Sequence, residues 1–211
     1  MPAPDVILEG LSQIAGALWP AAVAWHVVIA AGLAAVLAGW RPSRRLAALL
    51  LAAPLLSVSA AAWAVGNSFN GAVLLVLAVA LGTLGVRLGG EPVRRGPAWM
   101  AVAGAVLVAF GWVYPHFVEH GGPLRYLYAA PTGLLPCPTL ALVIGLTLVA
   151  GGFGSRAFAL VLAAAGLFYG LSGALRLGVH IDAALVAGAA VLIGEAASVP
   201  RAQPRVAGAA T

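Results

Sequence analysis

The sequence predicts an all-α, polytopic membrane bundle of seven transmembrane helices, with the N-terminus outside and the C-terminus in the cytoplasm. Three observations carry this expectation. Hydrophobic residues make up 63% of the 211-residue chain and charged residues 8%, against roughly 45–50% and about 25% in an ordinary soluble domain. The apolar residues gather in runs that fill nearly the whole length. The arginines between the runs crowd into alternate gaps.

Seven runs can be marked, at residues 18–39, 46–65, 73–86, 98–114, 134–150, 157–175 and 181–197. Several fall short of the about 20 residues that cross a ~30 Å hydrocarbon core, and flanking Gly and Ala supply the rest. No stretch is left for a separate soluble domain. Residues 1–17 are an outer segment, 18–197 one seven-helix domain, and 198–211 a cytoplasmic, disordered tail. The opening "MPAPDVILEGLSQ" is acidic and lacks the basic start of a signal peptide.

Orientation follows from charge. The 11 basic residues are all arginine. Arg41, Arg44 and Arg45 follow the first run, Arg87, Arg94 and Arg95 the third, Arg156 the fifth, and Arg201 and Arg205 the seventh. Only Arg125 and Arg176 fall in the other gaps. The positive-inside rule places the crowded gaps in the cytoplasm. Tryptophan gives a separate test, because its ring is apolar and its N–H seeks water. Trp19, Trp63 and Trp112 fall at expected outer ends, and Trp40 and Trp99 at inner ends. A basic pI on such a chain reads as orientation, so nucleic acid is not an expected partner. The lipid bilayer is, together with other membrane subunits or a second copy of the chain. Small residues four apart, Gly85 with Gly89 and Gly166 with Gly170, offer sites of close helix approach.

Several chemistries are excluded by residue type. A retinal Schiff base needs a lysine, and there is none. The single cysteine rules out a C-x-x-C redox pair and a C-x-x-C-H haem attachment. No glycine-rich phosphate loop ends in Lys.

Candidate site residues collect on the expected outer side. His116-Phe117-Val118-Glu119-His120 has the form H-x-x-E-H. On a helix the two histidines share a face, where they could hold a divalent metal such as zinc while the carboxylate serves as base. Pro115 before the motif and Gly121-Gly122 after it leave little helix, and a third ligand is needed. His180 and Asp182 lie in the last outer gap, and His180 joins His116, Glu119 and His120 as a candidate metal ligand. His26 is the one clearly intramembrane ionisable group, a functional hypothesis by default. One carbonyl or hydroxyl, such as that of Ser57 or Ser59, would also satisfy its imidazole.

The stretch "PTGLLPCPTLALV" holds the lone Cys137 between Pro136 and Pro138. Neither proline donates a backbone hydrogen bond, and both suit the first turn of a helix. A helix from there to Gly151 is about 14 residues, or ~21 Å at 1.5 Å each. Residues 131–136 must then enter the membrane as non-helical chain, which survives only when buried in protein or lining a wet cavity. Cys137 is either a buried small residue or a thiol at a helix N-terminus.

Tyr114-Pro115 at the end of one span, and Gly133, Pro136, Cys137, Pro138 and Thr139 at the start of the next, resemble a bacterial integral-membrane family classified only as a domain of unknown function. The likeness covers residues 111–152. It implies a multi-pass protein of the bacterial inner membrane and carries over no activity.

Three functions remain. The first is an outward-facing pocket for a metal ion or small solute, with ligand-pocket candidates His26, Tyr114, Cys137 and Asp182 and metal candidates His116, Glu119, His120 and His180. The second is an accessory or structural subunit of a larger membrane complex. The third is a membrane-embedded hydrolase using His116, Glu119 and His120. An enzyme is the less favoured class.

Overall fold

The computed structural model describes residues 3–117 and 122–199. Within them the secondary structure is helical, and one isolated antiparallel bridge, Ser43 to Pro92, ties two loops together. Five helical stretches are long and apolar enough to cross a membrane: Trp19–Leu37, Arg44–Ala64, Ser68–Val86, Arg156–Arg176 and His180–Ser198. Two apolar helices, Ala98–Val113 and Pro136–Val149, are shorter.

Helix α1 (Pro4–Ala17) is an addition to the expected outline, which gave residues 1–17 no helix. Proline sits at its first turn, where its missing N–H costs nothing, and Asp5 complements the helix dipole. Leu11, Ile14 and Ala15 recur at helical spacing, are buried, and pack on Ala22, Ala61, Leu134 and Leu135. A break at Leu18 separates it from α2 (Trp19–Leu37).

Helix α2 is nearly unsupported by packing: 11% of its apolar window is buried, against 44% for α3 (Arg44–Ala64). It is held by polar pins instead. Trp25 Nε1 donates to Ser57 Oγ at 2.9 Å. The His26 ring nitrogens lie 2.9 Å from the Ala22 carbonyl oxygen and 3.0 Å from that of Trp112.

Helices α3 and α4 (Ser68–Val86) form a hairpin, with Ser43 and Asn67 accepting from backbone N–H groups as their N-caps. The fourth helix starts earlier than the expected run at 73–86, because Asn67 caps it and Ser68, Phe69 and Asn70 form its first turn. Gly85 meets Ala48 at this crossing, where an added Cβ would stand 3.0 Å from the Ala48 Cβ.

Helices α5 (Ala98–Val113) and α7 (Pro136–Val149) approach each other at backbone distance. A Cβ on Gly104 would lie 2.5 Å from the Gly145 oxygen, and one on Gly145 would lie 2.6 Å from the Gly104 oxygen. The two backbones therefore touch. Gly166 and Gly170 do the same work between α8 (Arg156–Leu171) and α9 (Ala183–Ser198), whereas Gly89 lies beyond the end of α4 and contacts no other helix. The four-residue α6 (Tyr126–Ala129) lies between α5 and α7 in sequence.

Helix α7 is the axle of the bundle, with 11 of its 14 residues buried. At 1.5 Å per residue it is roughly 21 Å long. Residues 129–135 before it are also buried, so the non-helical approach expected from the prolines is enclosed by protein. Around this core the surface is apolar: Val76 is 68% and Val106 63% exposed, on helices whose inward faces are packed. Such a surface suits lipid as solvent, and the architecture is that of a multi-pass membrane protein.

The bundle has two chemically different ends. α3 and α5 begin at an arginine end carrying Arg44, Arg94 and Arg95, where the α7–α8 turn and the end of α9 also lie. Tyr114, Cys137 and Asp182 meet at the opposite, cysteine end.

Candidate functional site

At the cysteine end the segment from Pro131 to Thr139 is folded into a seat. Leu134 and Leu135 both bond back to the Pro131 carbonyl, closing a turn. Gly133 adopts φ +81° and lies beneath the Trp25 ring, so a side chain there would meet both backbone strain and a collision. The Thr139 hydroxyl accepts from the Gly133 N–H at 2.8 Å and donates to the Leu135 carbonyl at 2.7 Å. Thr132 donates to the Gly111 carbonyl on α5 at 2.5 Å. These bonds fix the first turn of α7, and with it the direction of Cys137.

Tyr114 arrives from α5. Pro115 disfavours helical backbone at the residue before it, and the helix stops at Val113. The Tyr114 ring is fully buried, edge-on to Phe110 at 5.4 Å and stacked with Phe117 at 6.3 Å. Asp182 arrives from the short turn His180–Asp182 that starts α9, and it is 1% exposed. Tyr114 Oη donates to Asp182 Oδ1 at 2.6 Å. The carboxylate lies directly over Gly173, where any Cβ would collide with Oδ2.

The Cys137 thiol lies close to both Asp182 and Tyr114. Cys137 as a residue is half-buried, whereas Tyr114 and Asp182 are buried. His116 is half-buried and lies in the neighbourhood of Asp182. Tyr169 of α8 also lies in the neighbourhood of the thiol, and its hydroxyl donates to Asn70 Oδ1 at 3.1 Å. Two hydrogen-bonded pairs thus lie inside an apolar bundle, Asn70 with Tyr169 and Tyr114 with Asp182, and Cys137 is near both. In such surroundings each satisfied hydrogen bond is strengthened, and each broken one is expensive.

The structure brings together three ligand-pocket candidates, Tyr114, Cys137 and Asp182, and sets His116 beside them. His26 stands elsewhere, edge-on to Trp112 at 4.6 Å, with its ring nitrogens facing the Ala22 and Trp112 carbonyl oxygens, to one of which the neutral ring donates. Neither serine expected to satisfy it does so: Ser57 accepts from Trp25, and Ser59 donates to the Gly71 carbonyl at 2.7 Å. His180 is exposed, two residues before Asp182. Glu119 and His120 lie outside the described residues, so the H-x-x-E-H arrangement does too. Among the described residues no group of three or more His, Cys, Asp or Glu side chains is placed to hold a metal ion.

Sequence reasoning missed Tyr169 and Asn70, which lie within apolar helices. A polar residue on a face that otherwise packs inward was the available signal.

The chain matches no family model, no curated protein and no solved structure.

Proposed function

We propose that the chain is a seven-span protein of a bacterial inner membrane, N-terminus outside, that binds a small cation or polar solute from the outer side at Tyr114, Cys137 and Asp182. In this reading α5 and α7 count as spans despite their length, because enclosed chain before α7 completes its passage. The observation that supports it most is the convergence of a phenol, a thiol and a carboxylate from positions 114, 137 and 182 on one region at the end of the bundle. Asp182 supplies a carboxyl group in a buried place, and its two neighbours present oxygen and sulfur. A thiol that gives up its proton on binding, together with a carboxylate, suits soft and borderline cations.

The near-bare α2 supports a second reading. A helix with so little of its apolar window buried also fits a subunit that packs against another membrane protein, with the Tyr114–Asp182 pair serving only stability.

Cys137 is the sole cysteine, so a maleimide reports on this cluster alone. The alkylation rate of purified protein is measured with and without Zn²⁺, Cd²⁺ or Ag⁺. Protection by one of these ions, lost in Asp182→Asn, is the expected result. A rate that no cation or small polar solute alters assigns the cluster to stability and favours the subunit reading.

A further inference from the structure

At the arginine end a pocket of about 450 Å³ opens between the starts of α3 and α5, the α7–α8 turn and the end of α9. Its back wall is a left-handed turn, Gly151–Gly154, with φ values of +60°, +60°, +56° and +58°. Three glycines make that turn affordable, and Phe153 is held in it by burial, edge-on to Phe158 at 5.2 Å. The Arg44 guanidinium donates to the Phe153 carbonyl. The Glu195 carboxylate rests on Gly152, where a Cβ would collide with it.

The pocket wall carries both signs of charge: Arg44, Arg94 and Arg95 against Glu91 and Glu195. Two of its polar atoms lack a hydrogen-bond partner among the described residues, Arg44 Nε and Glu195 Oε2. Glu195 is 8% exposed. An orphaned donor and an orphaned acceptor in one pocket ask for a guest that offers both an acceptor and a donor. Both atoms are covered from bulk water. An anion alone would set negative charge beside a buried carboxylate, and a cation alone would face three guanidinium groups.

The pocket also opens toward the lipid-facing side of α5. Trp99 lies at its rim, and Trp99, Val102 and Val106 form one exposed stripe, at 61%, 64% and 63% exposure. Indole rings prefer the headgroup level, and the two valines continue from it along the depth of an acyl chain.

We propose that this pocket binds a phosphate ester bearing a primary amine, its phosphate on Arg94 and Arg95 and its ammonium on Glu195. Phosphatidylethanolamine in the bilayer and free O-phosphoethanolamine share that chemistry, and the apolar stripe favours the lipid. Arginine suits the phosphate through its paired donors, and a carboxylate suits an ammonium that still carries its hydrogens.

The test is native mass spectrometry of the full chain in detergent, titrated with phosphatidylethanolamine, phosphatidylcholine and phosphatidylglycerol. Phosphatidylethanolamine is expected to bind about tenfold more tightly than phosphatidylcholine, a difference of about 1.4 kcal/mol. Joint Arg94→Ala and Arg95→Ala substitution lowers ethanolamine and glycerol lipid binding alike. Glu195→Gln removes the preference for ethanolamine over glycerol. Should E195Q fail to fold, the exposed Arg94→Gln keeps the test readable through the phosphate arm. Equal binding of ethanolamine and choline lipids, or an ethanolamine preference that survives E195Q, overturns the proposal. Free O-phosphoethanolamine that displaces the lipid at matched concentration supports the chemistry and assigns it to a soluble source. Failure to displace supports the lipid.

Discussion

Tyr114 and Asp182 are 68 residues apart in the chain, and their side chains share a 2.6 Å hydrogen bond inside the bundle. The bond ties the end of α5 to the start of α9 across the first turn of α7. Tyr114→Phe removes the donor and leaves the ring in place. A buried acceptor that loses its partner costs roughly 1–3 kcal/mol. Y114F is therefore expected to unfold at a lower temperature than wild type in the same detergent. Asp182→Asn keeps an oxygen to accept from Tyr114 and should cost less. Equal unfolding temperatures for wild type and Y114F would show that the pair adds no stability.

Gly173 makes that pair possible, because the Asp182 carboxylate occupies the space a side chain would take. Gly173→Ala must displace Asp182 or the turn at the end of α8. A matching control is Gly82→Ala on α4, where nothing lies within 4 Å of the added carbon. Alanine in an open helical position is favoured over glycine by about 1 kcal/mol. The two substitutions should move thermal stability in opposite directions, and G173A alone should change the maleimide reactivity of Cys137.

The contrast between these two glycines shows how much of the molecule was legible. The helices could be read from the chain because apolar runs and arginine gaps are local features. The buried approach to α7 could be read too, since prolines 131, 136 and 138 constrain backbone wherever they stand. What could not be read is which glycines matter. Gly104 and Gly145 set the α5–α7 contact, yet in a chain with 27 glycines neither stands out. Cys137, Tyr114 and Asp182 could be named one by one as candidates. Their meeting depends on three helix ends arriving together, and no spacing in the sequence encodes that. Helix α1 was readable and was missed, because its charged and polar residues masked the Leu11, Ile14 and Ala15 spacing.

The same contact makes Gly145→Leu a severe substitution. Its side chain would enter the Gly104 backbone, where even a Cβ finds 2.6 Å. Overpacking of a close crossing costs typically about 1–3 kcal/mol, and more where backbone must move. G145L is expected to lower the yield of folded protein in detergent extraction. Gly194→Ala, with no atom within 4 Å, should extract as wild type does.

Helix α2 provides a sharper test of polar pinning. Its attachment rests on Trp25 and His26 more than on apolar burial. Trp25→Phe removes the donor to Ser57, and Ser57→Ala removes the acceptor. If the bond acts as one unit, the double variant should cost about what either single one does, with a coupling of roughly 0.5–1.5 kcal/mol. Hydrogen exchange along Trp19–Leu37 should quicken in both single variants while exchange in α7 stays slow. Additive losses, or quickening that spreads into α7, would show instead that α2 is an integral part of the core.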